Sequence, residues 1–169
     1  EYPWKAEGYR VVQPISVGDN GLLLGTGNGV GTRRITINCR GESFEAHDQW
    51  TSREMKPYFN DFVAQGDYLY GFDHDIFACV NLTNGKRTWK KGRYGSGQVL
   101  LVPDGDQLLV LSEMGDLVML KADPQRHVEL ARLKALEGKT WNHPVLVGNR
   151  LYLRNGQEAA CYELATATR

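Results

Sequence analysis

The sequence lacks an excess of charge of either sign. Its 169 residues include 20 lysines and arginines and 20 aspartates and glutamates, so the formal net charge is zero at pH 7. Nucleic-acid-binding domains carry a basic field that attracts phosphates, and a neutral chain provides none. The composition therefore excludes a nucleic-acid partner from our expectations.

Long hydrophobic runs and metal-type cysteine motifs are also missing. No segment approaches the roughly 18 apolar residues of a membrane helix, so we expect no membrane span. The three cysteines form no CxxC pair, and no His-x3-5-His spacing occurs, so no zinc site is predicted. The chain opens with EYPWK, without a methionine or a signal peptide, and we expect it to be part of a longer protein.

Glycine, by contrast, is abundant, with 19 residues. Four of the Gly-Asp and Gly-Asn pairs recur at spacings of 48, 39 and 43 residues; they begin at Gly18, Gly66, Gly105 and Gly148. Each pair follows a short apolar run and precedes an apolar segment. Since glycine reaches positive φ without steric conflict, these pairs indicate tight turns between strands.

The clearest repeat runs over 62–90 and reads FVAQGDYLYGFDHDIFACVNLTNGKRTWK. Short strand-like segments bounded by turn residues indicate an antiparallel meander. Four strands repeated every 40 to 45 residues are typical of β-propeller blades. We therefore predict an all-β fold of about four four-stranded antiparallel blades, either a closed ring or part of a ring of seven to eight. The predicted blades span about 8–50, 57–90, 97–136 and 142–164, with 1–7 as an outer strand.

One stretch carries conflicting signals. The pattern VELARLKAL over 128–136 has good helix propensity, but its position in the repeat is that of a fourth strand. We predict a strand there. Cys79 and Cys161 occupy the same position in two repeats, and for both we predict packing in the core.

Three tryptophans occupy equivalent positions at the ends of fourth strands: Trp4, Trp50 and Trp89. A buried tryptophan removes on the order of 150–250 Å² from water.

The repeat LYGFDHDIFACVNLTNGKRTW resembles the "lYalDxxtGkxxW" unit of the pyrroloquinoline-quinone-like (PQQ-like) β-propeller superfamily, with Asn81 where an aspartate is usual. Weaker copies, VLSEMGDLVMLKADPQ and LYLRNGQEAACYEL, extend the resemblance over nearly the whole chain. The resemblance implies that blades dock through glycine and tryptophan, and the docking tryptophans would be Trp4, Trp50 and Trp89. It also implies a bacterial protein of the periplasm or the extracellular space. The superfamily includes quinoprotein dehydrogenases and an outer-membrane assembly lipoprotein, so it implies a shape and no single function.

Quinoprotein dehydrogenases use an adjacent cysteine pair, a tryptophan stacked on the cofactor, and Ca²⁺ held by Glu, Asn and Asp. This chain has no adjacent cysteines and no assignable catalytic aspartate. The glycine-rich run 25–31 fits neither a dinucleotide fingerprint nor a P-loop, and we expect a blade hairpin. We therefore predict no catalytic residue, metal or cofactor. The alternative is part of a dehydrogenase that oxidises alcohols or sugars with PQQ and calcium.

The segments between blades share another pattern. They read PYFND, RYGSGQ and TWNHP, each with an aromatic residue followed by polar ones. In a propeller such segments gather on one face, and exposed aromatic residues with polar neighbours are typical of recognition surfaces. The candidate surface residues are Tyr58, Asn60, Tyr94, Trp141, Asn142 and His143.

We interpret the chain as a non-enzymatic scaffold that binds a protein or another extracellular ligand through these loops. A carbohydrate- or polymer-binding module is a further alternative. The simplest competing explanation is that these aromatic residues pack between blades.

Overall fold

The computed structural model describes residues 2–4, 10–27, 29–102 and 105–165, and within these ranges it contains fifteen β-strands and no helix. The strands form four antiparallel sheets, one for each predicted blade. Blade 1 contains β1 (Ile15–Val17), β2 (Gly21–Thr26), β3 (Gly31–Arg40) and β4 (Ser43–Ser52). Blade 2 contains β5 (Val63–Gln65), β6 (Tyr68–Asp73), β7 (Ile76–Asn81) and β8 (Arg87–Arg93). Blade 3 contains β9 (Gln98–Leu101), β10 (Gln107–Leu111), β11 (Asp116–Lys121) and β12 (Val128–Lys134). Blade 4 contains β13 (Val145–Val147), β14 (Arg150–Arg154) and β15 (Ala159–Glu163).

Within every blade the strands pair in sequence order, as in a meander. The predicted turns after the first strand use glycine with positive φ at Gly18, Gly66 and Gly148, where φ lies between 54° and 63°. Antiparallel pairing places these turns at one end of the sheets, which we name the turn face. The opposite end, which carries the inter-blade segments 57–62, 94–97 and 139–144, is named the loop face.

The core lies between the blades. Because side chains alternate along a strand, each inner blade packs against both neighbours. Leu69 and Val80 of blade 2 belong to the apolar cluster shared with blade 1, whereas Tyr70 and Phe77 belong to the cluster shared with blade 3. A third cluster, which contains Leu151, joins blades 3 and 4. The all-β propeller prediction is confirmed.

Two of the three repeat tryptophans bridge neighbouring blades. The Trp50 indole nitrogen donates to the Leu82 carbonyl oxygen at 2.8 Å, and that of Trp89 donates to the Asp123 carbonyl oxygen at 2.9 Å. A Cβ on Gly85 would lie 2.8 Å from the Trp50 ring. Glycine at this position, with φ of 69°, therefore lets the indole approach the next blade closely.

Trp4 lies in a different environment. The Arg33 guanidinium lies 5.6 Å from its ring centroid, and its indole nitrogen is buried with no hydrogen-bond partner among the described residues. The described part of the predicted outer strand 1–7, residues 2–4, is not a strand. The remaining positions of that prediction lie outside the described residues.

Two further predictions have clear outcomes. Residues 128–134 of the 128–136 stretch form β12, so position in the repeat prevails over helix propensity. The core prediction is correct for Cys79, which is buried, and wrong for Cys161, which is exposed on the outward side of blade 4. No helix that could span a membrane occurs in the described ranges.

Candidate functional site

The loop face carries an aromatic cluster, which we define as Tyr58, Phe59 and Trp141. Ring centroids lie 5.3 Å apart for Tyr58 and Phe59, and 4.9 Å apart for Phe59 and Trp141. Tyr58 is 43% exposed and Trp141 is 42% exposed. The two segments lead into blades 2 and 4, which are separated by blade 3. The cluster therefore brings together residues that are distant in sequence.

Polar contacts hold Trp141 in place. Its indole nitrogen donates to a Glu113 carboxylate oxygen at 2.9 Å, and the other carboxylate oxygen accepts the Ser96 N–H at 3.1 Å. The Ser96 N–H and the Trp141 indole hold the pKa of Glu113 below its usual value of 4.5. Lys139 Nζ lies 3.5 Å from the Trp141 ring centroid, a cation–π contact. The indole is thus exposed yet fixed.

Gln98 links the two segments of the aromatic cluster. Its side-chain amide donates to the Trp141 carbonyl oxygen at 3.3 Å and its side-chain oxygen accepts the Asp61 N–H at 3.0 Å. Gln98 is itself buried. One buried amide therefore bridges the segments that carry Phe59 and Trp141.

Two candidate residues are internal. Asn60 is 1% exposed and donates from Nδ2 to the Gly97 carbonyl oxygen at 2.6 Å. Tyr94 is 3% exposed, with its hydroxyl 2.8 Å from His127 Nε2, and burial raises its pKa to about 12. Asn60 ties two inter-blade segments together, and Tyr94 packs between blades 2 and 3. Neither side chain adds exposed area to the loop face.

His143 and Asn142 lie at the edge of the cluster. His143 Nε2 is 3.4 Å from an Asp61 carboxylate oxygen, and its Nδ1 donates to the Pro144 carbonyl oxygen at 2.7 Å. Asn142 is half-buried. His143 also borders a groove of about 410 Å³ on the outward side of blade 4, which Tyr152 and Cys161 help to line. His143 therefore lies between the loop-face segment 139–144 and that groove.

Sequence reasoning missed Glu113 and Lys139. Glu113 lies in the turn between β10 and β11. This turn is outside the inter-blade segments, whose aromatic-polar pattern selected the candidate residues. The only available signal was topological, since a meander places that turn at the same end of the sheet as those segments. Lys139 precedes the motif TWNHP by one residue and has no distinctive neighbours in sequence.

The residues present do not fit a quinoprotein calcium site. Ca²⁺ requires six to eight oxygen ligands. Among the described residues no group of three or more His, Cys, Asp or Glu side chains could hold a metal ion. We derive no catalytic step through PQQ or calcium.

No protein-family profile matches the chain, and no curated protein sequence matches it. Its fold is similar to that of two solved propeller structures. One is BamB from Moraxella catarrhalis, with a TM-score of 0.59 and 14% identity over 89% of this chain and 57% of that one. The other is a putative 6-phosphogluconolactonase from Bacteroides fragilis, with a TM-score of 0.68 and 14% identity over 94% of this chain and 54% of that one.

The chain thus spans just over half the length of both solved proteins. At 14% identity the similarity concerns the fold alone. The four sheets and both neighbours lead to the same conclusion: the chain has a β-propeller fold.

Proposed function

We propose that this chain is a PQQ-like β-propeller that acts outside the cytoplasm as a non-enzymatic scaffold and binds a protein partner through its loop face. The observation that carries the proposal is the exposed, fixed aromatic cluster of Tyr58, Phe59 and Trp141. The repeat sequence and the fold similarity support the PQQ-like assignment.

The cluster has the composition of a protein-binding hot spot. Tryptophan and tyrosine dominate such sites because they supply large contact areas with few rotatable bonds. Glu113 accepts a hydrogen bond from the Trp141 indole, and the Gln98 side-chain amide donates one to the Trp141 carbonyl oxygen, so binding would cost little side-chain entropy at Trp141. Polar side chains lie on the same segments: Lys139 lies over the Trp141 ring, and Asp61 and His143 lie 3.4 Å apart beside the cluster in sequence. A polar rim around an aromatic centre is the usual anatomy of an interface.

A protein partner is favoured over a carbohydrate by the contact at the indole. Sugars bind to tryptophan by stacking on a free ring face. Lys139 Nζ lies over the Trp141 ring at 3.5 Å and occupies one of its two faces, and the Phe59 ring packs against the indole with centroids 4.9 Å apart. A partner that approaches the exposed edges of several rings fits this arrangement better than a stacked sugar.

The test is partner capture by the full-length protein, followed by calorimetry with the partner that wild type retains. We expect Trp141→Ala to weaken binding by about 2 kcal/mol, close to thirtyfold in Kd. The matched control is Leu130→Ala, because Leu130 is 48% exposed on β12, away from the loop face. We expect the control to stay within about twofold of wild type. Equal affinities of the wild type and Trp141→Ala would overturn the proposal.

A second measurement separates the scaffold from a quinoprotein. PQQ is titrated with Ca²⁺ while tryptophan fluorescence and cofactor absorbance are followed. We expect no saturable change. Saturable quenching at micromolar cofactor would contradict the non-enzymatic assignment and make Trp141 the first residue to replace.

A further inference from the structure

A polar groove of about 390 Å³ opens between blades 1 and 2 on the turn face. It lies at the opposite end of the sheets from the aromatic cluster. The turn residues Gly18 and Gly66 line it, together with Arg34 of β3, Asp67 and Leu82. Its volume is in the range of small-molecule sites in proteins.

Arg34 is the chemically distinctive residue of the groove. Its Nη1 donates to the Leu82 carbonyl oxygen at 2.9 Å, the same oxygen that accepts the Trp50 indole. Among the described residues its buried Nε has no hydrogen-bond partner, and no carboxylate of theirs lies within 4.0 Å of the guanidinium. Within the described part of the chain, the Arg34 cation is therefore fixed at one nitrogen and is not neutralised by a carboxylate.

Other partly buried cations in the described chain differ in this respect. Arg33, the preceding residue, lies 3.2 Å from a carboxylate oxygen of Asp48. Lys56 and Lys90 each lie 2.6 Å from Asp73. Removing a cation from water is costly unless an anion compensates. Arg34 lacks that compensation within the described residues and faces a groove that can supply it.

We propose that the groove between blades 1 and 2 binds a small monocarboxylate whose carboxylate pairs with Arg34. A guanidinium matches the planar geometry of a carboxylate and forms charge-assisted hydrogen bonds with it. The exposed carboxylate of Asp67 lines the same groove and repels a second negative charge on the ligand. One cation beside one rim anion therefore selects a singly charged ligand over phosphate or a dicarboxylate.

The probes are lactate and acetate, with phosphate and chloride at matched ionic strength. Binding is measured by calorimetry and by the shift in Tm. We expect saturable binding of lactate and acetate, weaker binding of phosphate, and no saturable effect of chloride. Arg34→Met should raise the lactate Kd about tenfold to a hundredfold, because charge-assisted hydrogen bonds are lost.

Arg33→Met is the matched control. Arg33 is adjacent to Arg34 but contacts Asp48 and Trp4, so this variant should bind lactate within about twofold of wild type. A wild type without saturable carboxylate binding would overturn the proposal. An unchanged lactate Kd in Arg34→Met, or tighter binding of phosphate than of lactate, would do the same.

Asp67→Asn gives an independent result if Arg34→Met does not fold. Asp67 is exposed, so its replacement should leave folding intact. Loss of the rim charge should tighten lactate binding about twofold to fivefold. A Kd equal to that of wild type would show that lactate binds elsewhere, and the proposal would fall.

Discussion

Blades 2 and 4 carry the same residues at equivalent positions, in opposite environments. Tyr70 pairs with Cys79 between β6 and β7, and Tyr152 pairs with Cys161 between β14 and β15. Tyr70 and Cys79 are buried, whereas Tyr152 is 43% exposed and Cys161 is exposed. The strands and their register are alike. The difference is that blade 3 covers this side of blade 2, and no sheet of the described residues covers it on blade 4.

On the other side of blades 2 and 4, the equivalent residues have the same burial. Leu69 and Leu151 also occupy equivalent positions, and both are fully buried. Leu69 belongs to the cluster with blade 1 and Leu151 to the cluster with blade 3. Local sequence thus makes each strand capable of packing on two sides, and the arrangement of blades decides which sides are covered.

The largest expected effect concerns the covered side of blade 2. Trp89 bonds to the Asp123 carbonyl oxygen and its ring packs near Phe77 and His127. We expect Trp89→Ala to lower the free energy of unfolding by about 3–5 kcal/mol, because a large side chain is lost from a blade interface. Urea denaturation provides the measurement.

The control for this variant is Trp141→Ala. Since Trp141 is 42% exposed, we expect a loss of less than about 1 kcal/mol. If Trp89→Ala and Trp141→Ala lowered the free energy of unfolding equally, the tryptophan at the blade interface would contribute no more to stability than the tryptophan on the loop face.

Cysteine labelling compares the two blades directly. Cys79 is buried, and burial raises the pKa of its thiol, so both access and thiolate content are reduced. Cys161 is exposed. We expect native-state alkylation of Cys161 to be at least about a hundredfold faster than that of Cys79, which requires opening of the core. The rates can be followed by mass spectrometry of peptides, and similar rates would contradict the assigned coverage.

Asp73, at the loop-face end of blade 2, makes a pH-dependent contribution to the stability of the fold. Burial favours the neutral form of Asp73, but contacts with Lys56 and Lys90 outweigh it and hold its pKa below the usual 3.8. A lowered pKa in the folded state means that the ionised group stabilises the fold fully above the unfolded-state value of 3.8. This stability is lost as the pH falls below 3.8 and through the lower pKa of the folded state.

We expect Asp73→Asn to lower the free energy of unfolding by about 1–3 kcal/mol near neutral pH, since charge-assisted bonds are lost. The difference from wild type should shrink as the pH falls below 3.8. Urea unfolding of both proteins across this range is the measurement. A difference that does not change with pH would rule out the ionised form as the source of stability.

The smallest effect is expected on the uncovered side of blade 4. Val147 is 63% exposed there. We expect Val147→Lys to change the free energy of unfolding by no more than about 0.5 kcal/mol, whereas Leu151→Ala on the covered side should cost about 2–5 kcal/mol. Urea denaturation at two protein concentrations tests both. Strong, concentration-dependent destabilisation by Val147→Lys would show that another molecule covers this side.

The candidate site was predictable only in part. Of the residues that the aromatic pattern of the inter-blade segments selected, Tyr58 and Trp141 are exposed. The same pattern also selected Asn60 and Tyr94, which are internal. An aromatic residue followed by polar ones has the same local appearance in both cases, because burial depends on the blade that packs beside it. Whether the loop face binds a partner stays a prediction.

The sequence by itself determined the strands, the turns and the number of blades, because alternating apolar residues and turn glycines act over a few neighbouring positions. It also determined that 128–134 is a strand, through the regularity of the repeat. Only the tertiary structure decided that Cys79 is covered and Cys161 is not, that Glu113 holds Trp141, and that Arg34 lines a groove without a carboxylate partner among the described residues. These outcomes depend on contacts between blades, whose partners are far apart in the chain and share no local pattern.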